Sequence, residues 1–160
     1  MNGNGGVGMA IQVLLVEDSP GDVRLTQEVF KEASMHGHLA NTSVHLHVAT
    51  DGVEAMEFLM QEGGYAGAPR PDLILLDLNL PRMDGREVLA RIKAAPTLKT
   101  IPTVILTTSE AQADILNSYE LQANCYLSKP AQLDAFESLV KSINEFWLTK
   151  VKLPKQRQIG

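Results

Sequence analysis

Polar residues that could take part in chemistry follow four separate apolar stretches of the sequence. Three of these stretches end in acids or a hydroxyl, and one ends in a lysine: Glu17-Asp18 after "IQVLLV", Asp77 after "LILL", Thr107 in "PTVILTTS" and Lys129 after "NCYLS". The carboxyl ends of parallel strands meet at one edge of an open α/β sheet, which is where such sheets bind their ligands. If the stretches are parallel strands, three carboxylates, a hydroxyl and an ammonium group converge on that edge.

This set of groups is suited to handling a phosphoryl group. Clustered carboxylates repel one another unless a cation lies between them, and hard oxygen ligands suit Mg²⁺. A carboxylate beside such a cation, a hydroxyl and an ammonium group can accept and hold a phosphoryl group, because the positive charges offset its negative charge. We expect Asp77 to be the nucleophile and to form an acyl phosphate. Each acid alone could equally be a helix cap or a solvated strand end, and only their coincidence at successive strand ends favours chemistry.

The elements that must position these residues alternate regularly. Five short apolar runs are separated by five amphipathic segments, which start after capping residues such as Ser19, Asp51 and Asp84. The runs are 11–17, 43–49, 72–78, 101–109 and 124–129, and the helical segments are 23–33, 51–61, 84–95, 110–122 and 132–148. Strict alternation predicts an α/β fold, a doubly wound five-stranded parallel sheet with helices on both faces. Near-continuous apolar runs are typical of strands buried on both sides.

Size and charge narrow the classes of function. The chain has 160 residues and a formal net charge of −5, so one domain is expected at 11–148, with a disordered leader at 1–10 and a C-terminal arm or tail at 149–160. A negative charge disfavours a nucleic-acid partner. The sequence contains no apolar stretch of the length that spans a bilayer. The only cysteine, Cys125, excludes an internal disulfide and fits the reducing cytoplasm.

These residues resemble the receiver domain of two-component response regulators, over about Ile11 to Leu148. The resemblance implies a flavodoxin-like sheet with strand order 2-1-3-4-5 and phosphoryl acceptance at Asp77. It also implies that Mg²⁺ is held by Glu17, Asp18, Asp77 and the backbone carbonyl of Asn79.

The resemblance further implies a conformational switch. Thr107 matches the hydroxyl that moves toward the phosphoryl group, Tyr126 the aromatic side chain that turns inward after it, and Lys129 the lysine that contacts the phosphoryl oxygens. Pro130 matches a proline that usually follows a cis peptide bond. Such a protein is a phospho-accepting switch, which assists only its own phosphorylation and dephosphorylation and is otherwise not an enzyme.

A narrower resemblance concerns the single-domain response regulators that partner phytochrome-type histidine kinases. It is carried by "PRPDLILLDLNLP", "DGREVLARIK", "SYELQANCYLSKP" and "FW…LP" near the C-terminus, although some members of that group lack a proline at the position of Pro130. It implies a sensor histidine kinase partner, a role in light signalling, and a homodimer formed through the last helix and the C-terminal arm. The candidates for that contact are Phe146, Trp147, Leu153 and Pro154.

Other functions remain open at this stage. A receiver could be a phosphorelay intermediate or a general receiver that partners a non-phytochrome kinase. A haloacid-dehalogenase-type phosphatase also uses a strand-end aspartate with Mg²⁺, but it needs a second acid two residues later, where this chain has Asn79. A flavodoxin would need a hydroxyl- or glycine-rich phosphate loop after the first strand, where Glu17 and Asp18 would repel the phosphate.

Overall fold

A computed structural model describes residues 10–36 and 42–154 of the chain. The predicted leader, apart from Ala10, and residues 155–160 of the predicted tail lie outside the described residues. Ala10 already belongs to the first strand, so this strand starts one residue before the expected domain boundary.

The five predicted strands form one parallel sheet. They are β1 (Ala10–Val16), β2 (Ser43–Ala49), β3 (Leu73–Leu76), β4 (Thr103–Thr107) and β5 (Cys125–Ser128). Their order is β2-β1-β3-β4-β5, as the resemblance implies. The order places β1 and β3 side by side, so the segments that follow them, which carry Glu17-Asp18 and Asp77, are neighbours.

Five α-helices connect and flank the strands. They are α1 (Pro20–His36), α2 (Gly52–Met60), α3 (Gly85–Ala94), α4 (Gln112–Glu120) and α5 (Leu133–Glu145), with a 3₁₀ turn at Gly63–Tyr65 and a π-helical turn at Phe146–Lys150. The expected caps are present, because the side chains of Ser19, Asp51 and Asp84 each accept a backbone N–H from the first turn of the helix that follows.

Alternating side chains of the strands bury two separate cores. Leu14 and Val16 of β1 face the core beneath α2 and α3, whereas Val13 and Leu15 face the core beneath α1 and α5. All four residues of β3 are fully buried, which confirms its prediction as a central strand covered on both faces. Because β3 is packed on both faces, it cannot turn about its own axis. This fixes the direction in which the next residue, Asp77, points.

The last helix ends against the domain's own second core. Leu148 is buried in that core, and Trp147 and Leu153 pack against it, so the arm lies on its own domain as far as Leu153. Phe146 points away from the core and is 52% exposed. The two adjacent aromatic side chains therefore face different surroundings. Within the described residues, no helix is long and apolar enough to cross a membrane.

Candidate functional site

The backbone positions of the candidate residues are set by hydrogen bonds that continue the sheet beyond its strands. Three amides donate to carbonyls of the neighbouring strand: Glu17 to Ala49 (3.0 Å), Asp77 to Val16 (3.0 Å) and Lys129 to Thr107 (2.7 Å). These residues stand just past the strand ends, yet they are held as firmly as strand residues. The edge of the sheet therefore acts as a rigid support for their side chains.

Three of the predicted acids form a cluster at this edge. Carboxylate oxygens of Glu17, Asp18 and Asp77 all lie within 4.8 Å of one another. Glu17 and Asp77 are buried and Asp18 is exposed, so the cluster opens to solvent on one side. Among the described residues it is the only group of metal-ligating side chains of this kind.

The Lys129 side chain joins the cluster from β5. It is only 5% exposed, and its ammonium group donates to a carboxylate oxygen of Glu17, to Asp22 Oδ2 at 3.0 Å and to Asp77 Oδ2 at 3.2 Å. Asp22 is not among the site residues predicted from the sequence. Its signal was an acid in the first turn of a helix that follows directly on a strand end, since such a residue lies over the same edge of the sheet.

The charges in this cluster do not balance. One ammonium group faces the carboxylates of Glu17, Asp18, Asp22 and Asp77. Burial raises the pKa of Glu17 to about 7, although the hydrogen bond from Lys129 opposes the shift. Burial would lower the pKa of Lys129, but the hydrogen bond and charge of Glu17 outweigh it and hold that pKa above its usual value. The carboxylate oxygens and the excess negative charge fit a hard divalent cation.

Asp77 is held from two sides. Its Oδ1 accepts the backbone N–H of Asn79 at 3.2 Å, while its Oδ2 faces Lys129. Behind it, the first turn of α3 lies directly on its backbone: a Cβ added to Gly85 would stand 2.1 Å from the Asp77 carbonyl oxygen. Gly85 also donates its N–H to the carbonyl of Leu78 at 2.9 Å. A glycine at the start of α3 is therefore required by the packing around Asp77.

The two predicted switch residues meet at Ser109 and are not in hydrogen-bond contact with each other. The hydroxyl of Thr107 is buried at the end of β4 and accepts the backbone N–H of Ser109 at 3.4 Å. Tyr126 is partly buried, and its hydroxyl donates to the backbone carbonyl of Ser109 at 3.0 Å. Ser109 was not singled out as a contact of either residue, because the sequence spacing does not show which loop residue lies between them.

One expectation about the site is wrong. No cis peptide bond occurs in the described part of the chain, so the bond before Pro130 is trans. The isomer of an X–Pro bond is decided by its tertiary surroundings, because the two forms differ by only about 0.5–1 kcal/mol. Lys129 reaches all three of its carboxylate partners with the trans bond.

The dimer and arm candidates lie away from the acidic cluster. The segment from Leu148 to Pro154 borders a cleft with Ala10, Ile11 and Asp72, at the amino end of β1 and β3. Leu153 and Pro154 therefore lie at the opposite end of the sheet from Asp77.

Comparison with known proteins agrees with the geometry of the site. The sequence matches the family model of the response regulator receiver domain over residues 13–141. Response regulator Rcp1 of Synechocystis sp. is 51% identical over 142 residues, which make up 89% of this chain and 92% of that protein. The crystal structure of the Mn(2+)-bound form of Rcp1 superposes with a TM-score of 0.82 at 50% identity, covering 91% of this chain and 99% of that chain.

A second solved relative is the phosphorylated cyanobacterial phytochrome response regulator RcpA, with a TM-score of 0.82, 51% identity and coverage of 91% of this chain and 99% of that one. The fold, the strand order and the acidic cluster beside a buried lysine agree with this likeness. The chain belongs to the response regulator receiver domain family.

Proposed function

We propose that the protein is a signalling switch that accepts a phosphoryl group on Asp77 from a phosphohistidine of a sensor histidine kinase. The observation that carries the proposal is the position of Asp77 Oδ2, at the solvent-facing edge of the sheet and 3.2 Å from the Lys129 ammonium. In the transfer, an oxygen of Asp77 forms a bond to phosphorus and the bond between phosphorus and the histidine nitrogen breaks. The electron pair of that bond returns to the imidazole ring.

The residues around Asp77 have the properties that this transfer needs. Lys129 can move its hydrogen bonds from the carboxylates to the phosphoryl oxygens, because a phosphoryl group adds further charge and acceptors at the same place. The Thr107 hydroxyl can donate to another phosphoryl oxygen if it approaches Asp77. Its departure from the Ser109 N–H disturbs the residue that Tyr126 contacts. A local change of charge thus alters the surface around α4 and β5.

Mg²⁺ is the cation that we assign to the acidic cluster. Glu17, Asp18 and Asp77 would hold it through carboxylate oxygens, and Asn79 through its backbone carbonyl. When bound, the ion supplies positive charge that offsets the charge of the incoming phosphoryl group. The donor set supports the assignment, because hard carboxylate oxygens and an opening to water suit Mg²⁺.

The residue two places after Asp77 favours a switch over a hydrolase. Asn79 is exposed and cannot act as a general base, since an amide side chain does not accept a proton at neutral pH. With no acid at this position to activate water, the acyl phosphate on Asp77 persists long enough to change the conformation of the domain.

The kinase partner that we propose is of the phytochrome type, which makes the protein a component of light signalling. The support is the likeness to RcpA, described as a cyanobacterial phytochrome response regulator, at 51% identity over 91% of this chain. The reducing cytoplasm is the compartment that we assign to this relay, in line with a single unpaired cysteine, Cys125.

Acetyl phosphate with Mg²⁺ tests the phosphoryl acceptance directly. The wild-type protein is expected to take up one phosphoryl group, and Asp77→Asn to take up none, as measured by intact-protein mass spectrometry. Asp72→Asn is the matched control, because Asp72 stands at the other end of β3 and is also buried. Uptake by Asp77→Asn at the wild-type level would refute the proposal, as would its loss in a folded Asp72→Asn protein.

We also propose that two copies of the chain associate through the last helix and its arm. Phe146 supports this proposal, because it is a large apolar side chain that is 52% exposed and stacks edge-on against Trp147 at 5.7 Å. Phe146→Ala is expected to shift a dimer toward monomer in sedimentation velocity, and removal of the residues after Leu148 to weaken it as well. Leu116→Ala, at an exposed position of α4, is the control. Dimerisation unchanged by both alterations would contradict this arrangement.

A further inference from the structure

A hydrogen-bonded network connects the loop after Asp77 to the two switch residues. The guanidinium group of Arg86, in the first turn of α3, donates to both carboxylate oxygens of Asp114 in α4, each at 2.7 Å. It also donates to the carbonyl of Leu78 at 3.3 Å. Ser109 joins from the β4–α4 loop, because its hydroxyl donates to Asp114 Oδ2 at 2.6 Å. We call Arg86, Asp114 and Ser109 the α3–α4 bridge.

The bridge differs from the ordinary ion pairs on the surface. The side chains of Arg86 and Asp114 are 33% and 17% exposed, and they meet in a bidentate pair across two helices. Arg91 and Glu87 lie within the single helix α3 and are 55% and 51% exposed. Two nitrogens of Arg91 donate to the same carboxylate oxygen of Glu87. A bidentate, partly desolvated pair such as Arg86 and Asp114 fixes the relative position of its two side chains. An exposed pair such as Arg91 and Glu87 contributes little to stability.

Ser109 is the point at which the bridge meets the switch. Its side chain is bound to Asp114, its N–H donates to the Thr107 hydroxyl, and its carbonyl accepts from Tyr126. Thr107 cannot approach Asp77 and keep this contact unless Ser109 follows it. If Ser109 follows, its bonds to Asp114 and Tyr126 are strained or broken. The bridge therefore opposes the movement that a phosphoryl group on Asp77 demands.

We propose that Arg86 and Asp114 are positioning residues that hold Ser109, and through it Thr107 and Tyr126, in the resting conformation, and so set how easily the protein switches. This inference rests on the proposed phosphoryl switch and names the contacts that restrain it in the resting conformation. The bridge contributes to the free-energy difference between the two conformations, and it has no contact with the phosphoryl group. Weakening the bridge raises the fraction of protein that is already in the active conformation, and this tightens the apparent binding of anything that selects that conformation.

Beryllium fluoride, a tetrahedral analogue of a phosphoryl group on a carboxylate, provides the test in the presence of Mg²⁺. The full-length wild type, Arg86→Ala and Asp114→Asn are titrated with it, and binding is followed by NMR at the amide of Ser109. We expect both variants to bind the analogue roughly threefold to tenfold more tightly than the wild type, as for loss of a partly exposed charged pair. In the absence of the analogue, their Ser109 signal should lie part of the way toward the bound position.

Two matched variants separate this role from a merely structural one. Arg91→Ala removes the exposed pair from the same helix and is expected to bind like the wild type. Arg86→Lys keeps the charge but loses the bidentate contact, so an intermediate affinity is expected. Urea unfolding of each variant gives its stability, and loss of stability alone would not tighten binding of the analogue.

Each outcome bears on one of the two proposals. If the wild type does not bind the analogue, or Asp77→Asn binds it equally well, the proposed phosphoryl switch is wrong. If the wild type binds through Asp77 but Arg86→Ala and Asp114→Asn have the same affinity as Arg91→Ala, only the restraint by the bridge is overturned. Weaker binding by the two bridge variants would also overturn it, because the bridge would then support the active conformation.

Discussion

Strand β3 has a buried aspartate at each end, and the two carboxylates are used in opposite ways. Asp72, before the strand, accepts the N–H of Gln12 at 2.8 Å, while its own N–H donates to the Gln12 carbonyl at 2.7 Å. This closed pair of bonds joins β3 to β1. Asp77, after the strand, faces Lys129 and two further carboxylates across a gap that is open to solvent. The hydrogen bonds of Asp72 are complete and serve to join two strands. The negative charge around Asp77, in contrast, is not balanced by the neighbouring side chains.

Two lysines, the half-buried Lys93 and the buried side chain of Lys129, show the same contrast. Lys93 lies at the amino end of the sheet and donates to neutral oxygens: the carbonyls of Lys99 (3.4 Å) and Ile101 (3.2 Å) and the side chain of Asn124 (3.4 Å). Burial lowers the pKa of Lys93, because no acid offsets it there. Lys129, at the carboxyl end, has its pKa raised by carboxylates despite its burial. A wholly or partly buried lysine therefore indicates chemistry in this fold only when its partners carry charge that it cannot balance alone.

The tight packing behind Asp77 offers the strongest test of the difference between the two ends of β3. Gly85→Ala is expected to lower the free energy of unfolding by about 3 kcal/mol or more, because its Cβ would stand 2.1 Å from a backbone oxygen that cannot move aside. Gly64→Ala lies in the connection that leads to the amino end of β3, where nothing is within 4 Å, and it should change stability by less than about 0.5 kcal/mol. Equal stability of the two variants in urea would show that the carboxyl end is not crowded as described.

Replacement of the two lysines tests the charge imbalance. Lys129→Met should raise the affinity for Mg²⁺ roughly tenfold, because it removes a positive charge a few ångströms from the carboxylate cluster. Lys93→Met should leave this affinity unchanged. Isothermal titration calorimetry measures both. Weaker Mg²⁺ binding by Lys129→Met would mean that the ammonium group organises the carboxylates more than it competes with the cation.

The smallest expected effect is the pH dependence of the stability that the α3–α4 bridge provides. The hydrogen bond from Arg86, and after it that from Ser109, lowers the pKa of Asp114 from 3.8 to about 2. A lowered pKa stabilises the fold above the usual value of the group, and this contribution is lost as the pH falls toward the folded value. The stability difference between wild type and Asp114→Asn, at most about 1 kcal/mol, should therefore be constant above pH 5 and shrink between pH 4 and pH 2. A difference that grows in acid would contradict the lowered pKa.

The sheet and most of the acidic cluster were predictable because both depend on local patterns. An apolar run fixes a strand, and the residue after the run falls at a strand end, which located Glu17, Asp18, Asp77, Thr107 and Lys129. Their convergence needed only the rule that parallel strands end at a common edge.

The remaining contacts could not be read from local patterns, because they join side chains that are distant in the sequence. Lys129 and Asp22 are 107 residues apart, and Arg86 and Asp114 are 28 apart on different helices. The pairing of Arg86 with Asp114 has no sequence signature, whereas the only signal for Asp22 is its position in the first turn of a helix that follows a strand end. The trans bond before Pro130 and the packing of Leu153 on its own domain are likewise decided by tertiary surroundings.

The amides of Glu17, Asp77 and Lys129, which extend the ladders of the sheet, also have a consequence in time. Backbone N–H groups bonded within a central sheet exchange their hydrogen with solvent only when the whole domain opens, on a scale far slower than loop motion. The backbone that carries the carboxylates and the ammonium group thus keeps its position for as long as the fold lasts, while Asn79 and, once the α3–α4 bridge is weakened, the β4–α4 loop rearrange around it. The slowly opening sheet carries the chemical groups, and the faster loops carry the change of conformation.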